Sequence, residues 1–290
     1  MRPQDNRLYH LWAIGIIIIW GTTLSSTKTL LINGLNNNSI IFFRFLIAYL
    51  CLLALSHKQL FARSIKDELL FLATGITGSS LYFICELAAL ERANVADVSL
   101  LLSMSPIGTM ILSSIFLKSR VSFRMILGIL IAMGGAVLVI LNGSRTLEFN
   151  LWGYVFALCG AFSISCYLTL AKRLDNYPPL FMTRKVFFYG LITMLPTFLL
   201  TPLVSDFSVL LQPKIILNLL FLGMIASCFC YYSWNAIISK IGAIKLGSYS
   251  YFQPVVAMIT AAIFLNEPIS YAAIIGAAMI LGGVWGVEKS

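Results

Sequence analysis

Apolar runs of about twenty residues repeat along the whole chain, separated by short stretches of charged and turn-forming residues. A helix needs about twenty residues to cross the hydrocarbon core of a bilayer. Ten runs fit that requirement: 10–32, 38–56, 68–90, 95–117, 121–141, 149–171, 180–202, 214–237, 243–266 and 270–287. The breaks read "NGLNNN", "HKQLFARSIKDE", "KSRVS", "NGSRTLEF", "KRLDNYPP" and "NEPIS". Barrel strands would be about ten residues long and alternate in polarity, which these runs do not. The pattern predicts an all-α integral membrane protein with ten transmembrane helices and no hydrophilic domain.

Two of the runs carry nearly the same text. "SPIGTMILSSIFLKSRVS" (105–122) and "QPVVAMITAAIFLNEPIS" (253–270) match without a gap at seven of eighteen positions, where chance gives roughly two. At the same offset of 148, Ala88 meets Ala236, Gly128 meets Gly276, and Gly134–Gly135 meets Gly282–Gly283. At an offset of 140, Ser25 meets Ser165, Arg44 meets Arg184, and Tyr49 meets Tyr189. The chain thus divides into 1–145 (helices 1–5) and 146–290 (helices 6–10). Five is odd, so the second half is expected to enter the membrane from the opposite side. Inverted repeats of this kind are common in secondary transporters, with the substrate site between the halves near the midplane.

Composition agrees with the membrane reading. The chain is 59% hydrophobic and 11% charged, against about 25% charged in soluble domains. The net charge of +9 sits in short loops, where it orients a membrane protein, so no nucleic-acid partner is expected. With the amino terminus in the cytoplasm, thirteen Lys and Arg residues fall on that side, and Arg92, Arg145 and Lys214 on the other. The positive-inside rule then predicts a multi-pass protein of the inner cell membrane with both termini cytoplasmic. The first run is expected to stay as a helix, since no clear cleavage site follows it. The six cysteines lie in apolar runs without CxxC or metal spacing and are expected to pack. P-loop, HExxH and clustered acid–base sets are absent from the sequence, so neither ATP, a metal, a cofactor nor catalysis is expected.

Charged groups inside spans are the first candidates for function, because burying them in lipid is costly. Lys28, Arg44 and Glu86 lie on three different helices, each about 6–9 Å below the outer boundary at 1.5 Å per residue. They predict an outer vestibule, with Glu86 taking a cation, proton or amine and Lys28 and Arg44 taking a carboxylate. A structural reading stands beside it: Lys28 snorkels and Arg44 pairs with Glu86 to lock helices. Tyr82, four residues before Glu86, shares its face, either to bond the carboxylate or to pack. The repeat places Arg184 and Trp234 opposite Arg44 and Glu86, with Asn235 nearby, near the inner face. Tyr251 and Gln253 are further candidates to reach the cavity. Pro106 and Pro254 fall near the centres of the fourth and ninth runs, as structural kinks or as hinges. The glycines of the fifth and tenth runs suit close helix packing, within the monomer or in a homodimer.

The stretches "ANVADVSLLLSMSPIGTMILSSIFLKSRVSFRMILGILIAMGGAVLVI" and "GAIKLGSYSYFQPVVAMITAAIFLNEPISYAAIIGAAMILGGVWGV" resemble the ends of two EamA repeats. "IIFFRFLIAYL" is similar to that family's second helix. The resemblance covers essentially the whole chain. It implies the drug/metabolite transporter superfamily, ten helices, and export or exchange of small metabolites across the cytoplasmic membrane. The family's "LGE" ending appears as "LNE" at Leu265–Glu267, and as "LKS" in the first half, where the carboxylate is missing. The expected function is a secondary transporter exporting a small metabolite, an amino acid or a drug-like compound, by proton coupling or exchange. Its expected partners are that solute and the lipid bilayer. A scaffold, receptor or lipid-modifying protein without transport is the alternative, and uptake into proteoliposomes separates the two.

Overall fold

The computed structural model describes residues 7–57, 59–117, 123–143, 150–174, 176–199, 203, 207–241, 249 and 252–288. All regular structure in them is helical: α1 (Arg7–Ile32), α2 (Asn37–Leu55), α3 (Ile65–Leu90), α4 (Val95–Leu102), α5 (Ser105–Leu117), α6 (Phe123–Gly143), α7 (Leu151–Ala171), α8 (Pro179–Met194), α9 (213–241), α10 (Gln253–Leu265) and α11 (Tyr271–Glu288). Five helical stretches are long and apolar enough to cross a membrane: Leu8–Ile32, Asn37–Leu55, Ile65–Leu90, Leu151–Leu174 and Pro213–Trp234. Shorter apolar helices accompany them at Val95–Thr109, Ile126–Leu138, Gln253–Leu265 and Tyr271–Gly283. Leu11, Trp12, Phe116, Phe123, Phe264 and Trp285 are exposed on the outside, as lipid-facing side chains are.

Local chemistry sets the helix ends. Asn36 caps α2 by accepting the Ser39 N–H at 2.8 Å, and Ser64 caps α3 by accepting the Asp67 N–H at 3.1 Å. Asp67 and Glu68 then occupy the first turn of α3, where the helix dipole favours negative charge. At the far end of α10, Asn266 turns into the left-handed region at φ 55°, a conformation Asn tolerates better than most residues.

The fourth expected span is broken rather than continuous. α4 ends at Leu102 and α5 restarts at Ser105. Pro106 is the second residue of α5 and Pro254 the second of α10. Both prolines stand where a helix has no hydrogen bond to lose, not in mid-helix as the run lengths suggested. The side chain of Pro106 lies outside the described residues, and Pro254 is buried. Ser165 of α7 reaches across the break and donates to the Ser105 carbonyl at 2.7 Å. The ninth expected span, 243–266, falls partly outside the described residues and is helical from Gln253.

Helices from the two parts of the chain interleave. α1 packs on α10, α5 on α7, α2 on both α8 and α9, α3 on α8, and α6 on α11. The last contact is reciprocal: a Cβ on Gly135 would stand 2.8 Å from the Gly276 carbonyl, and one on Gly283 2.5 Å from the Gly128 carbonyl. α3 and α9 each contain a π-helical stretch, Ile76–Ser80 and Phe221–Phe229. The offset of 148 carries the first onto 224–228, inside the second. Such π segments recur at functional sites.

Candidate functional site

Where α2, α3 and α9 meet, a set of polar side chains lies far from water. Arg44 of α2 is 4% exposed and Glu86 of α3 is 3% exposed. The positive charge of Arg44 and the hydroxyl of Tyr82 both act on the Glu86 carboxylate. Arg44 also donates from Nε to Ser227 Oγ at 2.8 Å, and its guanidinium lies 4.3 Å over the Phe83 ring. Ser227 belongs to the π stretch of α9. α9 comes this close because residue 223 is glycine: a Cβ there would stand 2.6 Å from Ile47 Cβ and 3.2 Å from the Arg44 carbonyl.

Aromatic rings wall the site. The electrostatics of Tyr231 on α9 couple to Arg44, Glu86 and Tyr82. Its ring meets Trp20 of α1 edge-on at 5.2 Å and Phe187 of α8 at 5.6 Å. Trp20 contacts Trp234 at 5.0 Å and fixes its own indole N–H on the Ala226 carbonyl at 3.0 Å. A buried guanidinium and carboxylate beside electron-rich rings can hold a zwitterion, or exchange one counter-charge for a solute's.

Lys28 parts from Arg44 and Glu86, although all three were expected at one depth. Its ammonium donates to the Leu90 and Ala93 carbonyls, each at 2.7 Å, at the end of α3. There it also faces Glu267 from the turn after α10. Glu267 accepts the Val95 N–H at 2.9 Å and so caps α4. Burial raises the carboxyl pKa of Glu267, against the opposing pull of Lys28 and the Val95 and Ala96 N–H groups. Lys28 and Glu267 thus tie α1, α3, α4 and α10 together at one end of the bundle.

A second charged cluster closes the opposite end. Lys185 and Tyr189 of α8 both donate to Glu68 Oε1 of α3, and the Ala62 N–H donates to Oε2 at 2.7 Å. Arg184 donates to the Gln59 carbonyl in the α2–α3 loop and lies 5.2 Å over the Phe181 ring. Nearby, Tyr177 donates to Asp67 at 2.7 Å and accepts the Arg63 N–H at 2.8 Å. Arg184 is therefore not beside the Arg44 site but buried where α8 meets this loop.

Of the remaining expected residues, Tyr251 and the Asn235 side chain lie outside the described residues. Gln253 opens α10, half-buried, where its backbone packs near Gly21. Sequence reading passed over Ser227, Tyr231 as a site member, Glu68, and the buried pair of Asp97 with Tyr154, 3.0 Å apart. Ser227 carried one signal: at the offset of 148 it pairs with Ser79, one of two buried serines in the other π stretch.

The EamA-like transporter family matches residues 7–141 and 151–288. A transporter of Archaeoglobus fulgidus, described only as uncharacterized, is 27% identical over 228 residues, 77% of this chain and 79% of that protein. A probable amino-acid metabolite efflux pump of Salmonella typhimurium is 25% identical over 94% of this chain and 92% of its own length. A probable terminal-alkyne amino-acid exporter of Streptantibioticus cattleyicolor is 21% identical over 77% of this chain and 74% of its own. One solved crystal structure superposes with a TM-score of 0.65 at 22% identity, over 96% of this chain and 97% of that one. That likeness speaks for the fold alone.

Proposed function

Because the chain belongs to the EamA-like transporter family, we propose that it is a secondary transporter exporting a small metabolite with an amino-acid-like head group across the cytoplasmic membrane. The observation that carries the reading is the burial of Arg44 and Glu86 within electrostatic reach of each other, with Tyr82, Tyr231 and Trp20, assembled from α1, α2, α3 and α9. The names of the Salmonella and Streptantibioticus relatives support an amino-acid-like solute.

In this reading the two parts, 1–145 and 146–290, are inverted five-helix repeats. The reciprocal Gly135 and Gly283 contacts and the matched π stretches support that symmetry. Both termini are cytoplasmic. Lys28 and Glu267 then close the outer end, and Glu68, Lys185 and the α2–α3 loop close the inner end. Alternating access breaks one closure while the other holds. Glu86 carries the coupling: it pairs with Arg44 when empty, and takes a proton or the solute's ammonium when Arg44 takes the solute's carboxylate. The cycle needs no cofactor. Arg44, Glu86, Tyr82 and Trp234 serve the solute, Gln253 lines its path, and the backbone at Pro106 and Pro254 flexes.

The test is uptake of labelled amino acids into proteoliposomes, with and without a pH gradient. Glu86→Gln is expected to abolish the pH dependence and cut uptake at least tenfold. Full transport with a normal pH response in that variant would sink the assignment.

A further inference from the structure

We propose that Arg184 anchors a second binding site, for the carboxylate of a small apolar acid, at the end of the bundle where α8 begins. The inference rests on the transporter reading and adds where its solute first engages the protein.

Arg184 is the largest of the fully buried side chains, at 1% exposure. One guanidinium nitrogen, Nη2, donates to the Gln59 carbonyl. The other, Nη1, is buried and has no hydrogen-bond partner. Among the described residues no carboxylate forms an ion pair with it. The nearby acid, Glu68, is already engaged: Lys185 and Tyr189 occupy one oxygen and the Ala62 N–H the other. Glu68 is thus committed to Lys185, and the adjacent buried cation, Arg184, has no carboxylate partner among the described residues.

A buried guanidinium without an anion is costly, and an unmade bond to a charged group adds to the cost. The planar fork of an arginine matches the two oxygens of a carboxylate. An open cleft of about 230 Å³ adjoins the site. Gln59, which accepts from Arg184, and Phe181, whose ring lies under its guanidinium, are part of the lining. Leu55 and Leu180 supply apolar walls, and Ser56 and His57 supply polar ones. The volume lies below the range of drug-sized pockets, about 300–1,000 Å³, and so suits a short-chain acid. Arg184 itself lies behind this lining, and a carboxylate entering past Gln59 to reach Nη1 would lay its tail along Leu55, Leu180 and Phe181. The same guanidinium would also take a lipid phosphate, and the test distinguishes that source.

The full chain is purified in an uncharged detergent and its melting temperature is followed with isovalerate or with isovaleramide, a neutral molecule of the same shape. Isovalerate is expected to raise the melting temperature and isovaleramide to leave it unchanged. Arg184→Met is expected to melt no lower than the parent without ligand, since it removes an unmatched charge, and to weaken isovalerate at least tenfold. Arg92→Met, just beyond the far end of α3 and bonded there to Glu91, is expected to keep the response. Should Arg184→Met fail to fold, Arg184→Lys serves instead: it keeps the charge, loses the fork, and is expected to weaken isovalerate several-fold.

Equal responses to acid and amide would overturn the proposal. So would an undiminished response in the Arg184 variants, or an equal loss in Arg92→Met. Stabilisation by phosphatidylglycerol micelles with none by isovalerate would assign the site to a lipid headgroup instead. Binding in detergent needs no transport. Loss of the isovalerate response therefore counts against this site, and a transport-dead protein that still binds counts against the transporter reading.

Discussion

Gly282 and Gly283 are neighbours in sequence, yet alanine should affect them in opposite directions. Gly283 faces α6: a Cβ there would stand 2.5 Å from the Gly128 carbonyl, 2.7 Å from the Ala132 nitrogen and 2.9 Å from Ala132 Cβ. All three lie on the backbone or directly attached to it, so relief requires the two helices to separate. Overpacking of that kind costs about 1–3 kcal/mol. Gly282 has nothing within 4 Å of its added Cβ and is exposed. Alanine at such an open helical position gains about 0.5–1 kcal/mol from the reduced backbone entropy cost. The two variants should therefore differ by about 1.5–4 kcal/mol. On the scale of large soluble domains, where 1 kcal/mol shifts the midpoint by about 2–4 °C, the gap is roughly 3–16 °C. The assay is thermal unfolding of each purified variant in the same detergent, with circular dichroism confirming helix content. Gly134 and Gly135 provide a second pair: Gly134 meets only the mobile Met279 Cε at 3.1 Å, whereas Gly135 meets the Gly276 carbonyl at 2.8 Å. If Gly282→Ala were as destabilising as Gly283→Ala, the α6–α11 contact would not be as described.

The two end clusters make further predictions. Burial raises the Glu267 pKa from 4.5, so the folded protein binds more protons there than the unfolded chain does. Its contribution to stability should therefore fall as pH rises from about 4.5 through the raised value. Glu267→Gln should flatten that part of the stability-versus-pH curve, and an unchanged slope would refute the assignment. At the other end, Glu68→Gln leaves the Lys185 ammonium, 3% exposed, without its carboxylate. The cost should fall at the lower end of about 3–5 kcal/mol, because Glu68 keeps a quarter of its side chain open to solvent. The double variant Glu68→Gln with Lys185→Met should recover most of the loss in thermal unfolding. If the double variant is no more stable than Glu68→Gln alone, the two residues do not act as a pair.

Much of the candidate site was legible residue by residue, but not as a group. Arg44, Glu86 and Tyr82 stood out because charge and hydroxyl inside an apolar run demand partners, and the structure brings them together. Lys28 stood out for the same reason and went elsewhere. Depth along a helix is readable from sequence, whereas the direction in which a side chain points depends on helix rotation and neighbours. Arg184 matched Arg44 in the repeat, yet the two differ in surroundings: one bonds a serine of α9, the other a loop carbonyl. Ser227 was missed because an ordinary serine carries no sign of its partner. The prolines misled in one respect, since an apolar run conceals where a helix breaks and restarts.

The sequence by itself determined the class of protein, its helical content and the repeat. Length, apolarity and the recurrence of one stretch at an offset of 148 are properties of the chain alone, and lipid permits few other ways to satisfy its backbone. Tertiary structure decided which of two adjacent glycines is indispensable, which acid faces which base, and which arginine keeps a buried nitrogen without a partner. Those outcomes depend on ångström distances between helices remote in sequence. No local pattern encodes such distances, because each is set by the packing of every other side chain in the same contact.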